Sequence, residues 1–142
     1  MWTTKSSIDA AGLDADRVWQ ALKNMLSGVS PSSGGTYALN GEFAKGTTVS
    51  VTPPGQETMT SEIVECDPPH RYADSTDMEG LNLVFRHIIE DQGDGVRLTK
   101  ELEITGPPAD QVGPEIGPQI SADFPDTLTE LVEQARALPQ SN

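Results

Sequence analysis

Residues 83–107, LVFRHIIEDQGDGVRLTKELEITGP, constrain the fold of this chain more than any other stretch. Leu83, Phe85 and Ile89 alternate with Asn82, Arg86 and Glu90, and Val96, Leu98, Leu102 and Ile104 alternate with Arg97, Thr99, Glu101 and Glu103. Side chains of an extended strand point alternately to its two faces, so each arm is a strand with one apolar side. The segment DQGDG between them is the turn of a hairpin. Each arm carries one basic residue on its apolar side, His87 in the first and Lys100 in the second. Pairing position 91 with 96 sets His87 opposite Lys100, and a slip of two makes them diagonal neighbours. Both registers keep them close unless a bulge turns one outward.

The rest of the chain supplies partners for this hairpin. Residues 2–8 read as a first strand with Trp2, Thr4, Ser6 and Ile8 on one side. Asp14 caps a helix that starts near Ala15 and runs to about Met25, with Val18, Trp19, Leu22 and Leu26 at helical spacing. SGVSPSSGGTY is a loop in which Pro31 lacks an amide donor and Gly34 and Gly35 admit positive φ. TYALNGEF, KGTTVSVTP and QETMTSEIVECDPP then read as strands, each closed by Gly, Pro or Asp. Asp74, Asp77 and Glu79 read as a solvated acidic loop with no role, and His70 as an exposed loop residue.

After TGPPADQVGP the period changes. Ile116, Ile120, Phe124, Leu128, Leu131, Val132 and Ala135 recur every three or four residues, which predicts a long amphipathic helix over the sheet. Pro125 predicts a kink or a break into two segments, because its nitrogen cannot donate.

Composition narrows the class. At 142 residues the chain is sized for a single domain, 1–142, with a core that needs no disulfide or metal. Its net charge of −13 repels phosphate, so nucleic acid is not an expected partner. Cys66 is the lone cysteine, read as a small buried hydrophobe in a reducing, cytoplasmic setting. No stretch approaches the ~20 apolar residues of a membrane span. No His, Cys and carboxylate set has metal-ligand spacing, and no phosphate-binding or nucleophile-elbow motif is present. No cofactor is therefore expected, and the chain is expected as a monomer or homodimer.

Strand, helix, about six antiparallel strands and a long C-terminal helix is the order of the helix-grip fold, an α+β architecture in which a curved antiparallel sheet wraps a long C-terminal helix. The chain resembles the START-like (pollen-allergen-like, SRPBCC) superfamily, and within it the polyketide cyclase/dehydrase-like branch. The residues that carry the likeness are DADRVWQAL, LNGEFAKGTTVSV, IVECDPPHRY and residues 83–107. The Gly-rich loop of the pollen-allergen branch has no counterpart, since SPSSGGTY stands elsewhere and lacks its basic residue.

The resemblance implies a cavity between sheet and helix that takes lipids, sterols, polyketides or hormones, with cyclisation or aromatisation in some members. Tyr37, Leu39, Phe43, Met59, Leu83, Phe85, Leu102, Ile116, Ile120 and Phe124 are candidates for its wall, with Val49 and Val51 beside them. His87 and Lys100 are candidates for its polar end, and Glu62 and Glu42 either pair with them or, as strand-edge carboxylates usually do, solvate a face. The expected function is binding of a small hydrophobic or aromatic ligand. A cyclase, aromatase or dehydratase using His87 as general acid or base is an alternative, and a non-catalytic interaction module is another.

Overall fold

The computed structural model describes residues 1–28, 35–78 and 80–138. The chain runs β1 (Trp2–Ala11), α1 (Ala15–Met25), β2 (Thr36–Leu39), β3 (Thr48–Thr52), β4 (Met59–Asp67), β5 (Arg71–Met78), β6 (Leu81–Asp91), β7 (Gly95–Thr105), α2 (Ala109–Ser121) and α3 (Phe124–Ala137). One antiparallel sheet has the order β1-β7-β6-β5-β4-β3-β2, so α1 carries the chain from one edge to the other. The architecture is α+β, with the helices on the concave face of the sheet. Among the described residues no helix is long and apolar enough to cross a membrane. Pro31 and Gly34 of the expected loop lie outside the described residues, as does Glu79.

Local sequence explains the early elements. Asp14 stays extended and its carboxylate accepts from the Arg17 amide at 2.8 Å, satisfying one free donor of α1's first turn. Val18, Ala21 and Leu22 then bury the apolar face of α1. Arg17 joins the two ends of the chain: its guanidinium donates to the carbonyls of Ala135, Arg136 and Leu138. These last carbonyls of α3 lack helical partners, and a cation there also opposes the negative end of the helix dipole.

The C-terminal helix is in two pieces. The break falls at Ala122 and Asp123, ahead of Pro125, which occupies the first turn of α3 where no backbone donor is required. α2 begins at Ala109, ahead of Ile116, where the apolar stripe of the sequence starts. The line of α2 that is fully buried is Ala109, Gly113 and Gly117, with Ile116 and Ile120 half-buried beside it. Trp2 explains the glycines: a Cβ on Gly117 would stand 2.2 Å from Trp2 Cζ3, and one on Gly113 would stand 2.6 Å from Trp2 Cβ. Pro114 and Pro118, inside α2, are exposed.

The core has two halves. Under α1 and α3, Val18, Leu22, Ile63, Tyr72, Ile89, Val96, Leu98, Leu128 and Leu131 form one cluster. Under α2, Leu81, Leu83, Leu102, Ile104, Ala109 and Phe124 form the other, with Trp2 against it. Along β7 the two meet between Leu98 and Leu102, where the inward residue is Lys100.

Candidate functional site

The β6–β7 register runs without a shift from Asn82↔Thr105 to Asp91↔Val96 and pairs His87 with Lys100. With no bulge in this pair, both point to the concave face. β5 adds Tyr72 opposite His87 and Asp74 opposite Phe85. Tyr72, His87 and Lys100 therefore form one row across three strands, and Asp74 stands next to it in the following row. This polar group occupies the seam between the two apolar clusters.

Its hydrogen bonds are few. The Tyr72 hydroxyl donates to Asp74 Oδ2 at 2.7 Å. Lys100 Nζ donates to Thr127 Oγ1 at 3.3 Å and lies 4.8 Å from the centroid of the Phe124 ring. Thr127 Oγ1 in turn donates to the Phe124 carbonyl at 3.1 Å, so the first turn of α3 fixes both contacts. His87 Nδ1 is buried and has no hydrogen-bond partner among the described residues. An orphaned polar atom of this kind costs roughly 1–3 kcal/mol and is rare in folded proteins.

Burial dominates the electrostatics. It pushes the His87 imidazole down to about 3, with the Lys100 charge acting in the same direction. It pushes the Asp74 carboxyl up to about 6, against the Tyr72 hydrogen bond and the Lys100 charge. Burial, then the neighbouring Asp74, raises the Tyr72 phenol far above its usual range. Lys100 is lowered by burial and held up in part by Asp123, Asp74 and Glu130. At neutral pH the site thus presents a neutral imidazole, a neutral phenol, a carboxyl near its titration point and an amine.

These groups are crowded but not sealed, because Asp74, Phe85, His87 and Lys100 each keep part of their surface accessible. Tyr72 is 1% exposed and closes the floor. Aromatic rings step from α1 to the row: Trp19 to Phe43 at 5.0 Å, Phe43 to Tyr72 at 5.3 Å and Tyr72 to His87 at 6.0 Å between centroids. Phe85 meets Phe124 edge-on at 6.3 Å.

The structure distributes the expected wall residues unevenly. Tyr37, Leu39, Phe43 and Val51 are half-buried against the first cluster. Phe85, Ile116 and Ile120 are half-buried against the second. Leu83, Leu102 and Phe124 are buried within the second and Val49 within the first. Met59 is exposed.

Two expectations need correction. Glu62 faces away from the site, paired with Thr48 and Ser75 on the convex side, and Glu42 is exposed; the acidic neighbours of Lys100 are Asp74, Asp123 and Glu130. Asp74 is not in a solvated loop, because β5 extends to Met78 and turns Tyr72, Asp74 and Thr76 inward. The alternation of Tyr72, Asp74 and Thr76 with Ala73 and Ser75 is the available signal, but only pairing to β6 shows which side faces inward. Asp77 is exposed and accepts from Asn82.

Other chemistry-bearing residues stand apart. His70 is exposed, with Nε2 3.1 Å from Asp91 Oδ2. The Cys66 thiol, half-buried, lies 3.4 Å from the Phe43 carbonyl and is raised by burial and by Asp67, which disfavours the reactive thiolate. An open cavity of about 280 Å³ lined by Thr48, Thr60, Glu62, Ser75 and Asp77 lies on the convex face, away from the row. Among the described residues no three His, Cys or acidic side chains converge as metal ligands would.

No protein-family model matches the sequence, and no curated protein does. The fold is nonetheless shared. A protein from Mesorhizobium loti, MLL2253, matches with a TM-score of 0.69 at 13% identity over 98% of this chain and 100% of that one. Norcoclaurine synthase from Thalictrum flavum, in complex with dopamine and hydroxybenzaldehyde, matches with a TM-score of 0.68 at 15% identity over 99% of this chain and 89% of that one. DynU16, from the dynemicin biosynthetic locus, matches with a TM-score of 0.69 at 14% identity over 95% of this chain and 47% of that one. At these identities the likeness establishes the fold alone, which is a helix-grip fold.

Proposed function

We propose, from the helix-grip fold that this chain carries, that it binds a small apolar or aromatic molecule between the concave sheet and α2–α3, with the ligand's polar end at His87 and Lys100. The observation that carries this reading is the polar seam itself. A core built only for stability would continue from Leu98 to Leu102 without a lysine, and would not leave His87 Nδ1 without a partner. A ligand with one polar end satisfies both groups, while the half-buried Phe85, Ile116 and Ile120 offer apolar surface to the remainder. The aromatic molecules named with norcoclaurine synthase are of this size and type.

The test is native mass spectrometry for a copurifying small molecule, followed by fluorescence titration with 2-naphthol. Saturable one-to-one binding is expected, weakened ~10-fold by His87→Phe, the usual worth of one hydrogen bond. If nothing copurifies and the wild-type protein shows no saturable binding, the reading is wrong.

A catalytic reading is favoured by one observation, the Tyr72–Asp74 pair. A general acid or base works best when its pKa lies near the working pH. Asp74, pushed up to about 6, meets that condition, whereas His87 at about 3 stays neutral and is a poor proton donor at pH 7. In a cyclase, aromatase or dehydratase of this kind, His87 would orient the substrate and Asp74 would move the proton. Asp74→Asn should then lower turnover ~10²-fold or more, with the pH–rate profile losing its limb near 6.

A further inference from the structure

Lys100 is set apart from Lys5, Lys23 and Lys45, which are exposed. Among the described residues no carboxylate lies within 4 Å of its amine. Its contacts are one hydroxyl, Thr127 Oγ1 at 3.3 Å, and one ring face, Phe124. Lys100 as a whole is half-buried, so part of its surface stays accessible. A buried amine without a salt bridge is poorly held as an ammonium, and a free amine in an apolar site is a nucleophile. Three acidic groups act on it at longer range, Asp74 from β5, Asp123 from the helix break and Glu130 from α3, while His87 on β6 stays neutral. That surrounding charge repels an anionic ligand and leaves a neutral electrophile as the better match.

Resting on the ligand-binding reading above, we propose that Lys100 captures the carbonyl group of an aldehyde or ketone ligand as an imine. The unprotonated Nζ attacks the carbonyl carbon; a C–N bond forms and the C=O π pair moves to oxygen. An N–H proton passes to that oxygen to give the carbinolamine. Asp74, held protonated in part, gives a second proton to the hydroxyl, the C–O bond breaks and water leaves. The iminium returns its proton to the Asp74 carboxylate, leaving a neutral imine. No oxidant or reductant is consumed. Phe85 and Phe124 flank the carbon chain or ring of the captured molecule.

The experiment incubates the full chain at pH 7 with 2-naphthaldehyde and sodium cyanoborohydride, which reduces an imine to a stable amine, and maps adducts by peptide mass spectrometry. Fewer than about one in a thousand exposed lysine amines is unprotonated at this pH. Labelling at Lys100 is expected to run ~10-fold or more ahead of Lys5, Lys23 and Lys45. Lys100→Arg should abolish that adduct, leave the slow surface labelling and unfold at a similar temperature. Asp74→Asn should slow labelling at Lys100 while the slow labelling of Lys5, Lys23 and Lys45 is unchanged. If the wild-type protein binds 2-naphthalenemethanol saturably but Lys100 labels no faster than the exposed lysines, carbonyl capture is overturned and the binding reading stands. If neither compound binds, both fall.

Discussion

The two faces of the same three strands treat charge in opposite ways. On the convex face of β5, β6 and β7, Arg86 reaches Glu65 at 3.3 Å and Glu101 at 2.6 Å, and Arg71 reaches Glu65 at 3.2 Å. Arg97 pairs with Asp9 of β1 in the same manner, at 2.9 Å. On the concave face, one residue away along each strand, Lys100 has a hydroxyl and a ring, and His87 Nδ1 has no hydrogen-bond partner among the described residues. Charges that a fold needs only for solubility find opposite charges in solvent, where the pairing adds little. Polar groups carried into an apolar seam with few partners cost stability, His87 Nδ1 most of all.

The contrast is sharpest at adjacent positions 101 and 102. Leu102→Ala, which empties a fully buried site, should lower stability by ~2–5 kcal/mol in urea unfolding. Glu101→Ala, which loses one ion pair on the other face, should cost ~1 kcal/mol or less. Comparable costs at both positions would erase the distinction between the faces.

Asp74→Asn probes the seam next. Its carboxyl is raised from 3.8 to about 6, so the folded state holds the proton more tightly than the unfolded chain. That contribution is complete below 3.8 and is lost as pH rises through about 6. The amide cannot ionise, so the variant should be more stable than wild type at pH 7, by ~1–3 kcal/mol, and nearly equal at pH 4. Equal differences at the two pH values would place Asp74 in solvent.

His87→Phe gives the opposite slope. The imidazole is lowered from 6.5 to about 3, so the unfolded chain takes up its proton first and wild-type stability falls as pH drops from 6.5 through 3. The variant should lack this loss and, with the orphaned nitrogen gone, should gain ~1–3 kcal/mol at pH 7. Between about 4 and 6 the Asp74 and His87 contributions oppose each other, so wild type should show a flatter stability profile than either variant. The smallest effect belongs to the convex face: Arg97→Ala should leave the unfolding midpoint unchanged within error, since both partners of that pair are solvent-exposed.

Much of the fold is legible because its signals are local. Asp14 before an apolar helical stripe, the alternation on both sides of DQGDG and the change of period after residue 107 each depend on a few neighbouring residues. The signal at the C-terminal helix is incomplete for a physical reason. Hydrophobic periodicity marks Ile116 and Ile120, yet the closest approach to the sheet is made by Gly113 and Gly117, whose lack of a side chain is what admits Trp2. Small residues at a close contact carry no hydrophobic signal, so α2 starts ahead of the stripe and its buried line is rotated from it.

The site divides in the same way. That His87 and Lys100 share the apolar side of their strands follows from the sequence by itself, because the pleat alternates at every residue. That they stand close follows from either hairpin register, and the structure takes the one that sets them opposite. That Tyr72 and Asp74 join them from β5, and that the first turn of α3 brings Thr127 and Phe124 over the amine, were decided by tertiary structure alone. Strand register and helix docking are set by contacts between residues far apart in the chain, and no local pattern encodes which distant side chain will meet a buried lysine.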